Sequence, residues 1–207
     1  MTYSHQIPSY CKEKLCFNLN VDVNHDIFWG EYEGQRCSII EFLEDTVEMD
    51  IYGVIVKTLP VEKAFVQLIL HHYKEMNSIY YLSQNNYIRT HKFQDVYDMI
   101  INNKKILMPE KLRDLCEKYL VGSYIYYMIY YTNQVFPNGA LNDYLKKIES
   151  FRDDRLIECY GLASREMRKW SITFDKRLNK DNLWQDILKD MSELDLQKIE
   201  INKNIFL

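Results

Sequence analysis

The chain has 207 residues, 47% of them hydrophobic and 27% charged, which describes a globular protein able to bury a core without disulfide or metal staples. Its 26 basic and 30 acidic residues are interspersed and give a formal charge of −4, so the broad basic field needed for non-specific nucleic-acid binding is absent. Six glycines, with neither GxGxxG nor GxxxxGK[ST], exclude a Rossmann or P-loop phosphate cradle.

Taken in chain order, FNLNVDV alternates at period two and predicts a strand with Phe17, Leu19, Val21 and Val23 on one face. Asn18, Asn20, Asp22 and Asn24 share the other. CSIIEFLED leans towards a short helix. VEMDIYGVIVKTL reads as strand, tight turn near Gly53 and strand, with the β-branched residues Val54, Ile55 and Val56 suiting a sheet. From Pro60 the pattern becomes helical: Thr58 suits a cap, Pro60 a first-turn position, and Phe65, Leu68, Ile69, His72, Met76 and Ile79 form one face of a helix to about Ser83. A shorter helix is expected at about 92–103, and one opened by Pro109 runs to about Val135. FPNGA is a turn, and helical segments follow at about 140–149, 162–170 and 181–191. The expected fold is α+β, mainly α: a small N-terminal antiparallel sheet element packed on a helical body, with the boundary between residues 58 and 59.

Five scattered cysteines (Cys11, Cys16, Cys37, Cys116, Cys159) include no CxxC and no zinc-knuckle spacing. With no signal peptide or membrane-length apolar run, the expected location is cytoplasmic, with reduced thiols. Cys116 and Cys159 fall on predicted helical faces beside apolar neighbours and read as packed residues rather than nucleophiles. The most apolar stretch, Tyr119–Tyr131, is too short and too rich in phenols to span a membrane and reads as a buried helix. Its tyrosines, Tyr124, Tyr126, Tyr127, Tyr130 and Tyr131, are of a type that stacks on bases, but their clustering reads more simply as an amphipathic helix with phenol tips reaching water or a partner. Arg165, Arg168, Lys169, Lys176 and Arg177 form a local basic cluster that reads as the solvated face of a helix beginning near Gly161.

Two constellations carry chemistry. Asp22, flanked on its strand face by Asn20 and Asn24, is a carboxylate suited to a divalent cation if others join it; by periodicity alone it is a solvent-facing aspartate. His71 and Glu75 are one helical turn apart, as are His91 and Asp95, so two imidazoles and two carboxylates would make a metal site where their helices meet. HExxH and ExxH are both absent, and His72, on the apolar stripe, reads as a satisfied core residue.

The order VDVNHDIFW, VIVKTLPVEKAFVQL, LHHYKEMNSIYYL and KFQDVYDMI resembles the uncharacterised nucleotidyltransferase-like family of the polymerase-β-type superfamily, over about residues 17–135. Tyr160–Leu178 is similar to its C-terminal segments. The resemblance makes Asp22 a third catalytic carboxylate, and so a metal ligand. It sets Leu59–Lys63 on the family's helix start, His71 and His72 on its histidine helix and Asp95 on the acid of the next helix. It also implies magnesium (Mg2+) as cofactor if a nucleotide site survives, and makes residues 1–58 a remnant of the nucleotidyltransferase-like domain ahead of a helical domain, 59–207. The departures are specific. The family's GS turn and D-x-[DE] pair, which hold nucleotide phosphates and two metals, are not found, since Gly122-Ser123 is the one GS and no such pair follows it. Asn24-His25 also stands where the family has histidine and then an aromatic or histidine. The implied protein is a truncated or split nucleotidyltransferase-like chain, inactive alone, that binds a partner chain carrying the catalytic half, or a nucleotide. The alternatives are a helical metal-dependent enzyme using His71, Glu75, His91 and Asp95, and a protein-interaction module of adaptor or immunity type with no membrane association.

Overall fold

The computed structural model describes residues 10–14, 17–21, 23–29, 32–85 and 88–205. Asp22 and Cys16, both singled out above, lie outside the described residues. The chain is α+β and mainly α, with eleven α-helices and three two-stranded antiparallel sheets among the described residues.

The first hairpin pairs β1 (Tyr10–Lys14) with β2 (Phe17–Val21), Lys14 opposite Phe17. The alternating FNLNV run predicts β2; β1 has no comparable alternation. An irregular segment follows, and two of its aromatics are core residues: Phe28 and Trp29 are buried. Trp29 packs at 5.9 Å on the ring of Tyr73 and edge-on to Tyr124 at 5.5 Å. Helix α1 (Ile39–Leu43) starts where Ser38 Oγ accepts from the Glu41 amide, an N-cap, and it buries Phe42 against Tyr119.

Strands β3 (Val47–Ile51) and β4 (Val54–Thr58) form the second hairpin, with Ile51 opposite Val54. Tyr52 and Gly53 both have positive φ (54° and 82°), the backbone of a type I′ turn, whose twist matches that of the strands it joins. Asp50 Oδ1 accepts from the Gly53 amide at 2.6 Å and closes the turn. The register gives the hairpin two unlike faces. Val47, Met49, Ile51, Val54, Val56 and Thr58 share one, and Glu48, Asp50, Ile55 and Lys57 share the other.

The helical body begins with α2 (Val61–Asn77), where Pro60 is the N-cap residue rather than the first helical one. The expected helix to Ser83 is interrupted. Asn77 gives its side-chain amide to the Tyr73 carbonyl at 3.0 Å, and its own carbonyl accepts from the Gly161 amide at 2.8 Å. Ser78 turns to extended backbone (ψ 128°), and the chain resumes as α3 (Ile79–Ser83). Helix α4 (Thr90–Asn102) lies within a few residues of the sequence expectation. The helix expected from Pro109 to Val135 is two helices, α5 (Pro109–Tyr119) and α6 (Gly122–Val135). Leu120 takes the left-handed conformation (φ 58°), a state that costs a non-glycine residue about 1–2 kcal/mol. The turn allows α6 to fold back on α5 and run through the core. Gly122 opens α6 because the Phe151 ring occupies the space a Cβ would need, 2.4 Å away.

Beyond the FPNGA turn, α7 (Asn142–Ile148) runs into a short 3-10 turn, followed by α8 (Asp154–Glu158). The helix expected at 162–170 is not formed. Strand β5 (Cys159–Tyr160) pairs with β6 (Arg168–Lys169) around a tight loop containing one 3-10 turn. The basic cluster there is not a solvated helical face: Arg168 donates to Asp195 at 3.0 Å, and Arg177 is buried. Helices α9 (Phe174–Leu178), α10 (Trp184–Ile187) and α11 (Glu193–Ile205) complete the chain, with α11 against α3.

Gly161 ties this C-terminal loop to the helical body. Its φ of +99° favours glycine, and a Cβ would lie 2.4 Å from the Glu166 carbonyl oxygen. Gly161→Ala is expected to destabilise the fold by at least about 1–2 kcal/mol and to lower Tm by several degrees. Thermal melts followed by circular dichroism would measure the loss; an unchanged Tm would mean that the loop absorbs a Cβ at this position without strain.

Candidate functional site

Helix α2 carries His71, His72 and Glu75 where it packs beside α4, which carries Lys92 and Asp95. Adjacent residues on a helix diverge by about 100°, so the two histidines face differently. His71 is half-exposed, whereas His72 is turned towards α4 and buried. Glu75, four residues from His71 and three from His72, is within reach of both.

The groups interlock. His71 Nε2 lies 3.3 Å from Glu75 Oε1, and the Lys92 ammonium is 2.5 Å from Glu75 Oε2. His72 Nε2 lies 3.1 Å from Asp95 Oδ2. Lys92 is only 1% exposed, so its charge is taken out of water and set against Glu75, the condition under which a buried lysine is tolerated. Burial pushes the Lys92 pKa down, against the pull of Glu75. Burial alone would raise the Glu75 carboxyl, but hydrogen bonds from His71 and Lys92 outweigh it and hold the group well below the usual carboxylate range. Burial, with the positive charges of His71 and Lys92 adding to it, lowers His72 from 6.5 to about 4 despite the bond to Asp95.

Of the four metal ligands expected from sequence, the structure brings His71 and Glu75 together and sets Asp95 on His72. His91 is exposed in the first turn of α4 and is not among the residues whose ligand atoms cluster. The third member of that cluster is His72, whose ligand atom lies within 4.8 Å of those offered by His71 and Glu75. Its spacing of three from Glu75 was the available signal, and the apolar stripe masked it. Reading His72 as a core residue holds for its burial, but only one ring nitrogen is satisfied: Nδ1 is buried without a hydrogen-bond partner. Lys92 carried no sequence signal, since a lysine beside Phe93 reads as solvent-facing.

The other candidates fall out as follows. Cys116 is buried and its thiol is pushed up to about 12, chiefly by desolvation, and Cys159 is raised for the same first cause; neither is an activated thiolate. The tyrosine helix α6 does not present a row of phenols to solvent. Tyr126, Tyr127 and Tyr131 are buried, and their hydroxyls bond to Glu149, Asn77 and the Ile157 carbonyl.

The apolar face of the β3–β4 hairpin is the second feature of note. Every residue of β3 is exposed, and at the tip Tyr52 and Val54 are 103% and 61% exposed. Ile40 and Leu43 on α1 are exposed as well. Neither strand has a further sheet neighbour among the described residues. No helix among the described residues is long and apolar enough to cross a membrane. No protein-family model, curated protein or solved structure matches this chain.

The His72 environment makes stability depend on pH. A histidine held neutral in the fold, at about 4, but titrating at 6.5 when unfolded, takes up its proton first in the unfolded chain. Its contribution is therefore complete above pH 6.5 and lost as pH falls to about 4, a change on the order of 3 kcal/mol from that shift. Glu75, also depressed, adds a loss that begins as pH falls through its ordinary value of 4.5. Urea unfolding at pH 7.5 and pH 4.5 should show a smaller difference for His72→Gln than for the wild type; an equal difference would place the acid sensitivity elsewhere.

Proposed function

We propose that this protein acts by binding another protein, with the β3–β4 hairpin as its contact face, and that it performs no nucleotide transfer alone. The observation that carries this reading is the amphipathic hairpin, whose apolar face stands in water. A contiguous exposed apolar surface with unpaired strand edges is kept where a partner covers it, because otherwise it is an aggregation hazard. The segment is acidic: Glu41, Glu44, Asp45, Glu48 and Asp50 lie within ten residues, Glu48 and Asp50 on the hairpin's other face. The partner that fits is a protein with an apolar strand or ridge bordered by basic side chains. The resemblance noted above names a candidate of this kind, a chain carrying the GS turn and D-x-[DE] pair, with Asp22 supplying the third carboxylate and magnesium the cofactor. A cytoplasmic location belongs to the same proposal.

The test uses exposed positions that leave the core untouched. Met49→Ser with Val54→Ser is expected to change unfolding free energy by no more than about 0.5 kcal/mol per site and to weaken binding to a co-expressed GS/D-x-[DE] chain at least tenfold by calorimetry. In parallel, ATP or GTP with magnesium or manganese should not bind the isolated chain. Metal-dependent nucleotide binding by the chain alone, abolished in Asp22→Ala, would overturn the reading in favour of a self-sufficient nucleotide site. Unchanged affinity of the double variant would remove the hairpin from the interface.

A further inference from the structure

We propose that His71, His72 and Glu75 form a binding site for a zinc-class divalent transition ion, with Asp95 as the positioning residue behind His72. This inference does not depend on the partner-binding reading, since it concerns different elements, α2 and α4 rather than the hairpin.

Three observations converge. The first is proximity: each of the three residues places one ligand atom within 4.8 Å of the other two. Tetrahedral zinc with bonds of about 2.0–2.1 Å sets its ligands about 3.3 Å apart. Closing the remaining gap requires a rotamer adjustment, and half-exposed His71 has the room to make it.

The second is the state of His72. A carboxylate only accepts, so the hydrogen between His72 Nε2 and Asp95 Oδ2 belongs to the ring, and in the neutral imidazole Nδ1 is left with a lone pair. That atom is buried and has no donor. An unmet lone pair on a buried imidazole is a cost that a metal ion relieves. A histidine whose other nitrogen donates to a carboxylate is also the arrangement that orients and strengthens metal-binding imidazoles.

The third is charge. Glu75 Oε2 faces Lys92 and Oε1 faces His71, so Oε1 is the oxygen nearer the imidazole. Asp95 supplies a second negative group next to the ring. Two imidazoles and one carboxylate favour zinc and its neighbours over magnesium or calcium, which take oxygen ligands. Three protein ligands leave a fourth position for water.

Zinc titration of the full chain in competition with a chromogenic chelator tests the proposal, with cobalt(II) absorption as an independent reading of tetrahedral geometry. One zinc per chain is expected, with no comparable binding of magnesium. His71→Ala and Glu75→Gln should each weaken zinc at least tenfold. Asp95→Asn should weaken it about 10- to 100-fold while leaving the cobalt band shape tetrahedral. His91→Ala, altering the exposed neighbour outside the cluster, should leave affinity unchanged. His71 and Asp95 are exposed enough for their variants to fold, which a melting curve would verify. The proposal is overturned if zinc fails to bind stoichiometrically, if His71→Ala retains wild-type affinity, or if His91→Ala weakens binding as much as His71→Ala.

Discussion

Helix α6 is the constraint on which the rest of the structure depends. Its sequence, GSYIYYMIYYTNQV, contains no charged residue, and eight of its fourteen positions are buried. Such a helix must be enclosed by other elements, and α2, α4, α5, α7 and α8 all pack on it. Its tyrosines make the enclosure specific. A buried phenol costs free energy unless its hydroxyl is bonded, so each one dictates an acceptor at a fixed place. Tyr127 pairs with Asn77 at the end of α2, and Tyr131 donates to the Ile157 carbonyl and accepts from Arg177 at 3.0 Å. Arg177 in turn stacks over Trp170, Phe174 and Tyr131, so a guanidinium is held largely by aromatic faces. Two of its nitrogens have no hydrogen-bond partner, a cost accepted at the junction between α6 and the C-terminal segment.

That geometry also places the ionisable network. Because α2 and α4 both lie against α6, they are brought alongside one another, and Glu75 meets Lys92 while His72 meets Asp95. The network is thus a consequence of core packing, assembled from two helices that no local signal joins. Lys92 and Glu75 neutralise one another, and His72 stays neutral beside Asp95, which allows these groups to lie so near a hydrophobic core.

How much of this was legible in the sequence depended on whether local chemistry or a distant partner decided each element. The β3–β4 hairpin was legible because alternation and the Tyr52-Gly53 turn are local, and α4 because its periodicity is unbroken. The split of α5 from α6 was not, since Leu120 has no preference for left-handed backbone and takes it only because α6 must turn back into the core. The end of α2 at Asn77 was hidden for a similar reason: the carbonyl that stops it is claimed by Gly161, more than eighty residues away in sequence. The 162–170 segment has helix-forming residues, yet Gly161 with its positive φ commits the chain to a loop and a two-residue ladder. At the site, His71 and Glu75 were readable from their spacing. His72 was discounted for lying on the apolar stripe, and Lys92 was invisible because its partner lies on another helix. Asp22, the residue that the resemblance weighted most, lies outside the described residues.

The division of polar and apolar groups across the molecule favours recognition over self-contained chemistry. Within the helical body the strongest side-chain demands are met internally: phenols find acceptors, Lys92 finds Glu75, and the buried thiol of Cys116 is held protonated. Besides the unpartnered Arg177 nitrogens, two open features bear on recognition. One is the apolar face of a hairpin in an acidic segment, a surface that water does not satisfy and a protein would. The other is the buried His72 Nδ1, which has no hydrogen-bond partner, on a helix that also carries His71 and Glu75. The two lie on different elements, one on an exposed hairpin and one on packed helices. A protein built this way keeps a rigid, aromatic-packed interior as the platform and leaves its unmet valences at the edge of the sheet and on the flank of α2.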